Sequence, residues 1–277
     1  MFSLTCVVDN HTTSPDLKGE HGLSFWIEST DGVVLFDTGQ TAEALFNNLA
    51  WLELPVERID AVVLSHAHYD HTGGLAALLE KRPGLPVYAH PDLFQPRYSH
   101  RQSGTLSIGL EMDRKELNRI ADLRLTPDPV ELLPGLWTSG EISERPEAKG
   151  TSANLVVRGA NGEWLPDPHT DDQSLVILGE DEKMTLICGC CHAGILNTLA
   201  HVRRVFAREV SLVIGGIHLK SADEGEIAHV IQVLNATAPG TKYFLNHCTG
   251  DRAIEIFSRV FSGRVENFPA GMAIIID

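Results

Sequence analysis

The sequence predicts an α/β (α+β) protein in which two packed sheets carry helices on their outer faces. Short β-prone runs recur on both sides of a proline-rich middle, among them 2–8 (FSLTCVV), 59–64 (IDAVVL) and 211–215 (SLVIG). Segments with apolar residues at helical spacing follow several of these runs, as in 41–52 (TAEALFNNLAWL). Composition agrees, since 43% hydrophobic and 21% charged residues match a globular chain, not a disordered or coiled-coil one.

Taken in order, 2–8 and 23–28 are strands, and a Thr-Asp-Gly turn at 30–32 leads into 33–36, so a β-meander opens the chain. A helix over 41–52, a strand over 59–64, a helix over 75–82 stopped by Pro83-Gly84, and a strand over 85–89 follow. From about 91 to 150 the pattern weakens, with seven prolines between 86 and 146 and one helix near 112–121. That stretch is expected to be an insertion or lid on a single domain covering 1–277. Strands at 153–158, 173–178, 184–188, 211–215, 242–246 and 272–276 alternate with helices at 194–207, 223–236 and 251–261. Ser221 and Glu224 have the spacing of a capping box for the helix at 223–236.

Thirty-seven acids against 22 bases leave a net charge of -15 over 277 residues, which opposes binding to nucleic acid or an anionic membrane. No apolar run reaches the roughly 18 residues of a membrane span, and the first ten residues lack the Lys or Arg of a secretory signal. A cytoplasmic protein is expected, with a homo-oligomer allowed. Three of the five cysteines fall within four positions (Cys188, Cys190, Cys191), a spacing that suits reduced thiols, not a disulfide framework. The 13 histidines are numerous, and several stand at strand ends near glycine, which points to metal chemistry.

The densest signal is Ser65-His66-Ala67-His68-Tyr69-Asp70-His71-Thr72-Gly73-Gly74, where the 59–64 strand ends and a helix begins. In extended chain His66 and His68 share a face, and the turn into the helix brings Asp70 and His71 to the same cavity. Two cations can then be held, the first two imidazoles on one and the Asp-His pair on the other. Gly73 and Gly74 let the backbone pass close to the site. Further strand-end histidines are His192 (CGCCHAG), His218 (GGIHL) and His247 (LNHCTG). Asp37, in LFDTG, is placed to accept a ring N–H from a ligand histidine, or to form a turn before Gly39. Cys190 is either a thiolate ligand or a buried packing residue, and His169 in Pro-Asp-Pro-His is a further candidate; Cys188 and Cys191 are expected to be structural, and His21 to have a structural or solvent role.

The run HAHYDH, with LFDTG upstream and strand-end histidines downstream, resembles the metallo-β-lactamase fold superfamily over essentially the whole chain. VDN (8–10), EHGLSF (20–25), LSHAHYDHTGG (64–74), DDQSLVI (171–177), GCCHAG (189–194) and HCTG (247–250) are similar to the subgroup named for archaeal dihydropterin ribofuranosylaminobenzene phosphate synthase. The resemblance implies a four-layer αββα sandwich with two divalent cations at one edge: zinc, with manganese or iron as alternatives. It assigns His66, His68 and His192 to one cation and Asp70, His71 and His247 to the other. Where many relatives carry Gly-Asp with a bridging carboxylate, this chain has Gly189-Cys190, and His169 lies where other branches place a ligand histidine.

Three functions are compatible with that reading. The first is hydrolysis of an ester or phosphoester of a small molecule, with Asp70 as ligand and positioner of the nucleophile and His218 as a hydrogen-bond donor to substrate. The second is transfer, in which an arylamine displaces pyrophosphate from a pterin. Lys220 and Arg252, the latter at a helix N-terminus, are available to a phosphate in either reaction, and aromatic residues of 94–137 would stack a flat ring if that segment roofs the site. The third is a non-hydrolytic di-iron redox or metal-binding module.

Overall fold

The computed structural model describes residues 1–148, 150, 152–179 and 182–277. In chain order it begins with β1 (Phe2–Val8), β2 (Ser24–Ser29), β3 (Gly32–Phe36), α1 (Ala42–Trp51), β4 (Ala61–Val63), α2 (Tyr69–Thr72), α3 (Leu75–Lys81) and β5 (Pro86–Ala89). The middle forms β6 (Arg97–Arg101), β7 (Gly104–Ser107), α4 (Arg114–Ile120), β8 (Asp122–Leu125), β9 (Glu131–Leu133) and β10 (Leu136–Thr138). Then come β11 (Leu155–Arg158), β12 (Trp164–Pro166), β13 (Leu175–Leu178), β14 (Lys183–Cys188), α5 (Ile195–Phe206) and β15 (Glu209–Gly215). The chain closes with α6 (Glu224–Thr237), β16 (Lys242–Leu245), α7 (Asp251–Val260), β17 (Val265–Asn267) and β18 (Ala273–Ile276).

Two seven-stranded sheets result, β18-β1-β2-β3-β4-β5-β8 and β17-β16-β15-β14-β13-β10-β9. Alternation along single strands decides what each face meets. Phe25, Ile27, Val34 and Phe36 of the first sheet share one core with Leu175, Ile177, Ile187 and Ile214 of the second. Their neighbours Trp26, Val33 and Leu35 join Leu45 and Leu49 of α1 and Leu75 and Leu78 of α3 in another core. Leu186, Val213 and Tyr243 do the same on the far side with Leu199 of α5, Ile231 of α6 and Phe257 of α7. Helix, sheet, sheet and helix stack as an αββα sandwich. No helix among the described residues is long and apolar enough to cross a membrane.

Residues 91–150, expected as an insertion or lid, supply strands to every sheet. β8 pairs with β5, β10 with β13, and the β6-β7 hairpin joins β11 and β12 in a separate four-stranded sheet. The 153–158 strand is therefore β11 of this third sheet, not a member of the large ones. The strands of this sheet are three to five residues long, the buried positions of β6 are the polar Arg97 and Ser99, and β7 is exposed throughout, so apolar periodicity has too few positions to register. Lys149, within the expected insertion, lies outside the described residues.

The capping box of α6 also differs from expectation. Asp223, not Ser221, caps the helix, accepting from the Glu226 N–H at 2.9 Å while the Glu226 carboxylate accepts from the Asp223 N–H at 2.8 Å. A turn closed by Ala222 N–H donating to Leu219 O, at 3.1 Å, precedes the helix, so the cap stands two residues later than expected and the helix begins one residue later; Asp caps as well as Ser.

Gly73 and Gly74 are needed for proximity. Both have ordinary negative φ, but a Cβ on Gly73 would stand 1.9 Å from Gln40 O, and one on Gly74 2.4 Å from Thr38 O. Gly73→Ala is expected to cost at least about 1–3 kcal/mol, read as a lower denaturation midpoint. Gly240→Ala, whose Cβ meets nothing within 4 Å, should stay within about 0.5 kcal/mol of the parent. Equal midpoints for the two variants would contradict this packing.

Candidate metal centre

The site is assembled at strand ends. Asp37 follows β3, the 65–71 segment follows β4, His192 follows β14, His218 follows β15 and His247 follows β16. β3 and β4 are parallel neighbours in one sheet, as are β14, β15 and β16 in the other, so the loops of each set emerge side by side. The turns are sharp: Asp37, His169, Cys191, His218 and His247 all have left-handed φ, between 46° and 60°. They are five of the eight non-glycine residues with positive φ among those described, a concentration of backbone strain at one place.

One buried carboxylate organises the ligand segment. Asp37 Oδ1 accepts from the Ser65 N–H at 2.7 Å, and Oδ2 accepts from the Ser65 hydroxyl at 2.7 Å and from His71 Nδ1 at 2.6 Å. Because the only hydroxyl proton of Ser65 goes to Asp37, His66 Nδ1, 2.8 Å from that oxygen, must be the donor. His192 Nδ1 donates to Gly150 O at 3.0 Å and His247 Nδ1 to Asn10 Oδ1 at 3.1 Å. With Nδ1 as donor, each of the neutral rings of His66 and His192 leaves Nε2 as a bare lone pair, while Nε2 of His247 stands 3.4 Å from Asp70 Oδ2. Nε2 of His66, His68, His192 and His247 is buried, with no hydrogen-bond partner among the described residues. Such orphaned acceptors facing one another fit cation binding.

Two main donor groups result. His66, His68 and His192 form one, and Asp70, His71, Cys190 and His247 the other, donor atoms within each lying no more than 4.8 Å apart. The groups abut, since the His66 and His71 ring centroids are 4.2 Å apart. His169 joins His68 and Asp167 in a further group and stacks on His192 at 4.0 Å, so both candidates for the third imidazole are present. Cys190 Sγ stands 3.1 Å from His71 Nε2, whereas Cys188 and Cys191 pack in the outer core. All five cysteines are free thiols.

Burial holds His66 and His192 well below the ordinary imidazole range and His68 down to about 3, so these rings are neutral near pH 7 and able to ligate. Burial opposes charge on His71 as well, but Asp37 and Asp70 lift it to about 9. Burial likewise works against ionised Asp70, yet His71 and His247 hold its carboxyl well below the usual range.

A cavity of about 200 Å³ opens onto these groups, lined in part by His21, Asp70, Arg101, Asn154, His218 and His247. A larger one of about 500 Å³ adjoins it, sharing Ser152 and His218. Lys220 and Arg252 line neither cavity: Lys220 is exposed, and the Arg252 guanidinium is 2.7 Å from Glu224. The aromatic residues of 94–137 do not roof the site, since Tyr98 packs on Trp164, Trp137 on Phe206, and Phe94 against the core; Tyr69 is the aromatic lining the smaller cavity.

Several supporting residues escaped the sequence reading. Asp171 accepts from the Ala67 N–H at 2.8 Å, and Asp172 from the Ala193 N–H at 2.8 Å, so consecutive carboxylates pin the two histidine loops. Buried Arg97 bridges Asp167 and Asp171. His21, expected to be structural or solvent-facing, stacks on His247 and stands 3.3 Å from Asp70 Oδ2. Asp171, Asp172, Ser65 and His21 all fall within the quoted motifs DDQSLVI, LSHAHYDHTGG and EHGLSF, but nothing in those motifs assigns their partners, and Arg97 falls in none of them.

Comparison with known proteins agrees with this fold. The metallo-beta-lactamase superfamily model matches residues 17–182. The 7,8-dihydropterin-6-methyl-4-(beta-D-ribofuranosyl)-aminobenzene-5'-phosphate synthase of Methanocaldococcus jannaschii is 33% identical, covering 96% of this chain and 97% of that protein. Among solved structures, Tm1679, described as a metal-dependent hydrolase of the beta-lactamase superfamily, matches with a TM-score of 0.83 at 26% identity over 100% of this chain and 99% of its own. The zinc-bound PqqB of Methylobacterium extorquens shares the fold, with a TM-score of 0.61 at 13% identity over 99% of this chain and 100% of its own. A strand-end histidine cluster on an αββα sandwich, matched by family over more than half its length, makes this chain a member of the metallo-beta-lactamase superfamily.

Proposed function

We propose that this protein is a metal-dependent enzyme that cleaves an ester or phosphoester bond of a small molecule at a pair of divalent cations, with zinc preferred over manganese or iron. The observation that carries the reading is the abutment of two buried donor groups, with orphaned Nε2 atoms in each, beside a cavity. His66, His68 and His192 would hold one cation, and Asp70, His71 and His247 the other, with Cys190 beside the second. Cations bound there supply charge neutralisation for a developing oxyanion or leaving phosphate and acidify water.

The chain's own groups do the rest. Asp37 fixes the His71 ring through Nδ1, and Ser65 relays that carboxylate to His66. Asp70 Oδ2, between 3.3 and 3.7 Å from His21, His247 and His71, offers a hydrogen-bond acceptor at the cavity to position the nucleophile. His218, at the junction of the two cavities, is placed to donate a hydrogen bond to substrate. Arg101 supplies positive charge at the mouth, and His21, which burial keeps below the ordinary imidazole range, is a neutral hydrogen-bonding group. Lys220 and Arg252 are not needed for this.

Transfer is the second reading, favoured by the 33% identity over nearly the whole chain to a protein named as a synthase acting on a dihydropterin. The same donors serve either reaction. Purified enzyme given a dihydropterin methyl diphosphate with and without an arylamine separates the two. Hydrolysis yields free hydroxymethyl pterin in both mixtures, whereas a synthase forms a coupled product that requires the amine.

His68→Ala and Asp70→Ala are each expected to lower activity by at least tenfold and bound metal by about one equivalent while the far-ultraviolet spectrum is kept. Full metal content in both variants, measured by elemental analysis, would remove them from the donor set. A pH dependence follows from His71. Its folded value, about 9, exceeds the ordinary 6.5, so protonated His71 stabilises the metal-free fold fully below pH 6.5, and this contribution is lost as pH rises through about 9. His71 must also give up its Nε2 proton before it can ligate, so metal affinity should rise with pH across that window and then level off. Calorimetry in buffers of different ionisation enthalpy should show proton release near pH 7.5; uptake without it would contradict ligation by His71.

A further inference from the structure

Three loops meet beside the donor groups already described, and they carry another. Cys190, His218 and Cys248 follow the parallel strands β14, β15 and β16, and their Sγ, ring nitrogen and Sγ atoms lie within 4.8 Å of one another. Packing does not explain these two thiols. Cys188 and Cys191 belong to the outer core and Cys6 to the core between the sheets, but Cys190 and Cys248 belong to none of the three cores although they are 2% and 4% exposed. His218 is held in left-handed conformation at φ 49°, and its Nδ1 is buried with no hydrogen-bond partner among the described residues. Gly216 keeps the loops in contact, since a Cβ there would stand 2.5 Å from Cys248 Sγ and 2.6 Å from Gly189 O.

We propose that Cys190, His218 and Cys248 form a thiol-rich site for a thiophilic divalent cation, with Cys190 shared between it and the Asp70–His71–His247 group. Tetrahedral zinc with bonds of about 2.3 Å to sulfur and about 2.0–2.1 Å to nitrogen separates its donors by roughly 3.3–3.8 Å, so the observed spacing needs only a small closure. His218 lines both cavities, which gives an ion a path inward. Two sulfurs and an imidazole select zinc or cadmium over manganese or magnesium. The site goes beyond the paired-cation reading and stands even if that reading fails, because two of its three donors lie outside it.

The test uses the full-length protein stripped by chelation and titrated with Cd²⁺ alone, followed by thiolate-to-cadmium charge-transfer absorption and by the amount of cadmium retained after gel filtration. The parent should develop the band, and Mn²⁺ at the same concentration should leave it intact. Cys248→Ser should lose about half of the band and one equivalent of cadmium, and His218→Ala should weaken the same equivalent. His68→Ala, by contrast, should lose cadmium while keeping the band, so failure of the histidine centre is read separately. Saturation of the parent without a thiolate band, or a Cys248→Ser band equal to the parent's, would overturn the proposal.

Discussion

The carboxylate of Asp37 is the constraint from which the rest of the centre follows. A buried carboxylate is tolerated only where hydrogen bonds replace water, and Asp37, with no exposed surface, takes two from Ser65 and one from His71. Those bonds place the proton of His66 on Nδ1 and hold His71 by its Nδ1, so Nε2 of each ring is left on the side away from Asp37. Removing the carboxylate would leave the Ser65 hydroxyl free to rotate and the His66 tautomer undetermined. The centre is thus set one layer behind the atoms that would touch a cation.

Backbone close approach is the second constraint. Gly189 admits no side chain because its Cβ would meet Ser65 Oγ at 2.3 Å, and Gly73 is blocked by Gln40 O. These contacts press loops from both sheets together until imidazoles distant in sequence share one cavity. Five left-handed non-glycine residues stand in the same loops, and such conformations persist only where surrounding structure over-determines them. The αββα core meets that condition for Asp37, Cys191, His218 and His247, whose loops follow β3, β14, β15 and β16, each paired on both sides.

Electrostatics then favours cations. Burial keeps His66, His68 and His192 neutral, so no positive charge in that trio opposes an incoming ion, while Asp70 stays ionised beside them. An overall charge of -15 adds a long-range attraction for metal ions, and Arg101 is the arginine lining the smaller cavity.

The sequence by itself determined the layers and the heart of the centre. Alternation in β2 and β3 and helical spacing in α1 report which faces are apolar, and the spacing of His66, His68, Asp70 and His71 lies within one loop, so local geometry suffices. Tertiary structure decided the rest. Whether His169 or His192 completes the imidazole trio depends on two rings stacked 4.0 Å apart from separate loops, and no local spacing records that. The same holds for Arg252, turned to Glu224 by a neighbouring helix, for Asp171 and Asp172 reaching back to ligand loops, and for the pairing of β6 with β11. Each of these is a through-space contact between segments whose separation in sequence carries no periodic trace.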